Sequence, residues 1–77
     1  MMKELFETIA KQLVDHPDDV IVTQEESAGM VTLQLKVHPD DMGKVIGRQG
    51  RIARAIRTVI KAAANKENTK VSVEISQ

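Results

Sequence analysis

Apolar positions recur along this chain with two alternating periods. Met2, Leu5, Phe6, Ile9 and Leu13 have helical spacing, predicting an amphipathic helix of about three turns. Glu7 and Lys11 form a favourable pair one turn apart on its polar side. Pro17 cannot extend that helix, so it ends near Asp15 or His16. Val20 to Glu25 is rich in β-branched residues and predicts a strand; Glu26-Ser27-Ala28-Gly29 predicts a turn. Val31, Leu33, Leu35 and Val37 then alternate with Thr32, Gln34 and Lys36, so a second strand pairs with the first as a hairpin.

Pro39-Asp40-Asp41 opens a short second helix, with proline in the first turn and two carboxylates at the positive end of its dipole. Gly47 interrupts it, and Gly50 precedes a longer helix from about Arg51 to Asn65. Ile52, Ile56, Val59, Ile60 and Ala63 share one face of that helix; Arg51, Arg54, Arg57 and Lys61 project from the opposite side. After the polar loop Asn65–Thr69, the alternation of Val71, Val73 and Ile75 predicts a final strand. The order α-β-β-α-α-β describes an α+β fold: three helices packed on one face of a three-stranded mixed sheet, with residues 1–77 forming a single domain. The last strand follows a two-helix crossover and is expected to lie parallel to the strand before it.

Composition narrows the function. The chain has 77 residues and no cysteine, which excludes disulfides, thiol catalysis and the common structural zinc frameworks. Phe6 is the single aromatic residue, so modules that stack bases on exposed rings are excluded. A domain of this size has little material for a large catalytic cleft. Its serines (Ser27, Ser72 and Ser76) form no nucleophile–base arrangement with His16 or His38. No enzyme activity and no cofactor are expected. No apolar run approaches the ~18 residues of a membrane span, and the acidic start is unlike a signal peptide. The first helix carries only two lysines on a mixed polar side, so packing on the sheet is expected rather than a membrane surface. The expected location is cytoplasmic.

The balanced charge conceals an asymmetry. Residues 1–41 hold three basic and nine acidic side chains, whereas residues 42–66 hold seven basic and no acidic ones. A basic block within an otherwise acidic domain is the footprint of a polyanion site. Its centre is Val45-Ile46-Gly47-Arg48-Gln49-Gly50-Arg51-Ile52. A GxxG turn between helices leaves no Cβ at either end to block an approaching backbone. It precedes a helix N-terminus, whose unpaired N–H groups favour phosphate, and Arg48 and Arg51 add charge there.

The sequence VIGRQGRI in this element order resembles the type II K-homology (KH) domain, and Asp40 to Ala64 is similar to the small bacterial KhpA family throughout. The resemblance covers nearly the whole chain. It implies that the GxxG loop clamps the backbone of about four nucleotides of single-stranded RNA. Gly47, Arg48, Gln49 and Gly50 would form the clamp, with Val45, Ile46 and Ile52 as the apolar groove floor and Leu35 or Val37 opposite; Val45 and Ile52 are expected to serve mainly as core. Lys44, Arg51 and Arg54 are expected to add contacts; Arg57, Lys61 and Lys66 are expected to act as steering charges or a partner surface. The resemblance further implies self-association or pairing with a larger KhpB (Jag)-type KH protein. It also implies RNA chaperone activity linked to cell elongation and envelope homeostasis. The competing function is a dimerisation module for such a partner, with little RNA binding of its own. A DNA-binding helix-turn-helix fits poorly, because the first helix of the pair is short and contains Gly43 and ends at Gly47.

The tetrapeptide His-Pro-Asp-Asp occurs at His16–Asp19 and again at His38–Asp41. Boundary chemistry accounts for both copies, one ending a helix and the other starting one, so no metal is expected from the pattern itself.

Overall fold

The computed structural model describes residues 2–77. Its elements are α1 (Met2–Leu13), β1 (Ile21–Ser27), β2 (Met30–Lys36), α2 (Met42–Ile46), α3 (Arg51–Lys66) and β3 (Lys70–Ser76). Short 3-10 turns at Pro17–Asp19, Pro39–Asp41 and Arg48–Gly50 lie between them. The observed order and the α+β class are those expected of a type II KH fold.

The sheet runs β1-β2-β3. β1 and β2 are antiparallel, with Ser27 paired to Met30 across a tight turn. Both turn residues, Ala28 and Gly29, have positive φ (52° and 77°), as a type I′ hairpin requires. β3 is parallel to β2 in the register Met30↔Lys70 through Lys36↔Ser76, as the crossover predicts. The three helices cover one face. The other face is polar, with Thr23 bonded to Gln34 and Gln34 to Glu74 across the three strands.

Phe6, Leu33, Leu35, Val45 and Ile60 are fully buried at the centre of the helix–sheet interface. The helical stripes differ in detail from the sequence prediction. In α1 the buried seam is Met2, Phe6 and Ala10, with Leu5 exposed and Ile9 and Leu13 half-buried. In α3 it is Ala53, Ile56, Ile60 and Ala64, with Val59 46% exposed. Small alanines seat α3 closely on the sheet and rotate its larger apolar residues toward α1. Ile9 and Leu13 therefore meet Ile52, Ala55 and Val59 in an open apolar crevice between the two helices.

Candidate nucleic-acid interface

The candidate loop begins where α2 stops. Gly47 has φ 75° and ψ 174°, a backbone region essentially restricted to glycine. It is required sterically as well: a Cβ there would stand 2.6 Å from Ile52 Cγ1. Gly50 is left-handed (φ 74°, ψ 15°) and caps α3, but has open space where its side chain would be. Between them Gln49 also takes a left-handed conformation (φ 57°, ψ 25°).

Two arginines from the first turn of α3 fold back to hold this shape. Arg54 Nη2 donates to the Gln49 carbonyl at 2.8 Å, and Arg51 Nη2 to Gln49 Oε1 at 3.4 Å. Both predicted contact residues thus meet the loop, concentrating charge without neutralising it. Arg48 is exposed at the tip and forms no ion pair among the described residues. None of the ion pairs found there involves a cation of residues 47–66.

The entrance to α2 is built differently. The Asp41 carboxylate, with no side-chain exposure, accepts Asp15 N–H (3.2 Å), His16 N–H (3.0 Å) and His16 Nδ1–H (3.0 Å). Burial pushes its pKa up, but these bonds outweigh that and hold it below the ordinary Asp value. Asp41 therefore ties the α1–β1 connection to the start of α2, and makes no side-chain capping bond to its own helix. Lys44, expected beside the clamp, pairs with Asp15 and lies 3.7 Å from Asp41. Its pKa is raised, chiefly by the Asp15 hydrogen bond.

The apolar residues expected around the groove separate into two sets. Val45 is core, and so are Leu35 and Val37, which leaves no exposed wall opposite the loop at those positions. Ile46 and Ile52 are half-buried. Arg57 and Lys61 differ in their exposure, Lys61 being exposed. Arg57 is half-buried, and Lys61 joins Asn65, Lys70 and Val71 in a crevice between α3 and β3. The place of Lys61 on the β3 side follows from α3's rotation onto Ala53 and Ala64, which the pattern of large apolar residues did not reveal.

Comparison with known proteins gives a consistent result. The family model described as KhpA/KhpB, KH domain, matches residues 3–75. An RNA-binding protein KhpA of Clostridium acetobutylicum is 66% identical over 74 residues, covering 96% of this chain and 99% of that one. Another, of Listeria monocytogenes, is 51% identical, covering 96% of this chain and 97% of that one. Among solved structures, Era in complex with MgGDPNP and nucleotides 1506–1542 of 16S ribosomal RNA superposes with a TM-score of 0.66. That match is 16% identical and covers 97% of this chain but only 29% of Era, so it concerns the fold alone. The chain belongs to the KhpA/KhpB KH-domain family.

Proposed function

We propose that this chain is a single-stranded RNA-binding protein that holds the nucleic-acid backbone on the Gly47–Gly50 loop. The observation that carries this reading is the loop itself. Gly50 has open space where a side chain would stand, an unpaired Arg48 stands at the loop's tip, and Arg51 and Arg54 lie directly behind it. Family membership and relatives named as RNA-binding proteins support the assignment. Ile46 lies beside the clamp, while Lys44 has a secondary role because two carboxylates already hold it. Lys61, at the crevice between α3 and β3, extends the positive track toward β3. The protein acts by binding rather than by catalysis, in the cytoplasm; no helix of residues 2–77 is long and apolar enough to cross a membrane. RNA chaperone activity and the link to elongation and envelope homeostasis rest on family resemblance.

One domain contacts few nucleotides, so its affinity is low and depends on salt. A second domain raises avidity. The apolar crevice at Ile9, Leu13, Ile52 and Val59 supports association with another copy or a KhpB-type protein.

The test is an NMR titration of labelled protein with a short unstructured RNA at two salt concentrations. Arg48→Asp with Gln49→Asp places negative charge at the clamp while retaining both glycines. Shifts centred on Gly47–Ile52 that weaken with salt and vanish in the folded double variant support the clamp. Equal binding by the double variant refutes it, and absence of binding by both favours the partner-module function.

A further inference from the structure

The RNA site leaves the two His-Pro-Asp-Asp segments unused, although they come together in space. The Asp41 bonds to Asp15 and His16 bring the first segment against the second. The imidazoles of His16 and His38 stack with centroids 4.1 Å apart and planes inclined by 14°. Asp40 lies beside them, its side chain 78% exposed and its Oδ2 3.7 Å from His38 Nδ1. One donor atom from each of His16, His38 and Asp40 lies within 4.8 Å of the other two. We propose that these three residues form a binding site for a divalent transition-metal ion of the zinc class.

Donor chemistry selects that class: two imidazoles and one carboxylate suit zinc and its neighbours, whereas magnesium and calcium favour all-oxygen sets. Three protein ligands leave a fourth position for water. The outer support is already present. Asp41 Oδ2 accepts the His16 Nδ1 proton, orienting the ring and leaving the lone pair of the neutral imidazole on Nε2. His38 Nδ1 accepts Asp40 N–H at 3.0 Å, which holds its ring beside the first.

Ligands at metal–nitrogen distances of about 2.0–2.1 Å must lie closer together than in this metal-free arrangement. The exposed Asp40 side chain can rotate inward. The two rings must splay so that their in-plane lone pairs converge, and His38 must ligate through Nε2 or release the Asp40 N–H from Nδ1. Loss of ring stacking is therefore the signature that separates chelation from loose surface association. An ion here would fasten the α1–β1 connection to the start of α2, one turn before Lys44.

The experiment titrates Zn2+ into untagged, RNA-free protein, following both imidazole nitrogens by long-range 1H–15N NMR and affinity by calorimetry. Mg2+ is the control. The expected result is saturable one-to-one Zn2+ binding with shifts of both rings and no matching response to Mg2+. His38→Gln should weaken it by at least about tenfold, and Asp40→Asn severalfold, with metal-dependent thermal stabilisation shrinking in parallel. If His38→Gln fails to fold, Asp40→Asn and the wild-type ring shifts decide the question. Unmoved imidazole signals in excess Zn2+, or undiminished affinity in a folded variant, would overturn the site.

Discussion

At its start α2 adjoins a carboxylate with no side-chain exposure whose hydrogen bonds come from Asp15 and His16, with Lys44 balancing the acidic pair nearby. At its end, one turn later, Arg48 stands in a positive-φ loop with no carboxylate to meet it, and Arg51 and Arg54 gather behind it. The difference is one of compensation. A buried ionised group persists only if bonded on the spot, so the Asp41 end is committed to holding the fold. Charge held near an exposed loop and left unpaired is available to an external anion. Compensated and available charge therefore divide between the two ends of one short helix, while the Gly47 turn beside the loop also carries stability through its close approach to Ile52.

Substitutions should keep those roles apart. Gly47→Ala is expected to have the largest effect, lowering Tm by on the order of 15 °C through the forbidden φ and the collision with Ile52. Gly50→Ala, with open space around it, should lower Tm by only about 5 °C. Equal losses by circular dichroism would remove the close approach to Ile52 from the account. At the other end, Asp41→Asn should lower Tm by on the order of 10 °C while the folded protein still binds RNA. Reduced RNA affinity at a temperature where that variant is folded would merge the two roles.

Acid should sharpen the contrast by a smaller amount. The Asp41 pKa is depressed in the folded chain, so its bonds contribute stability above the ordinary value of 3.8 and lose it as pH falls through the lower folded value. Chemical denaturation between pH 5 and pH 3, about the ordinary Asp range, should show a steeper loss for wild type than for Asp41→Asn. Parallel curves would mean that Asp41 does not carry the acid sensitivity. The smallest effect is expected from Lys44→Ala, whose exposed ion pair contributes little. Its Tm should move by no more than about 3 °C and its RNA affinity by less than about twofold, against a loss of about tenfold or more for the Arg48, Gln49 double variant. A loss from Lys44→Ala as large as the double variant's would place Lys44 within the clamp.

Local chemistry made much of the fold legible. The alternation Val31-Leu33-Leu35-Val37 defines β2, Pro17 limits α1, and the two-helix crossover predicts the parallel β2–β3 pairing that is observed. The candidate loop was legible for the same reason, because glycine spacing and local charge density are properties of consecutive residues. The rotation of α3 was not. Large apolar residues pointed to Ile52 and Val59, but the closest fit to the sheet uses Ala53 and Ala64. That choice depends on the shape of the opposing surface, and it turned Lys61 toward β3 and opened the crevice beside α1.

The repeated tetrapeptide marks the boundary between the two kinds of information. Both copies form a proline-initiated 3-10 turn, Pro17–Asp19 and Pro39–Asp41, as four consecutive residues are enough to specify. Yet Asp19 is exposed while Asp41 is buried, and His16 and His38 stack although 22 positions separate the copies. By itself the amino-acid order determined the elements, their sequence and the charged glycine loop, because these depend on residue type and neighbours. Only the tertiary structure decided which identical side chain became a buried tie and which ring met the other. Burial and proximity are set by what the folded chain brings from elsewhere.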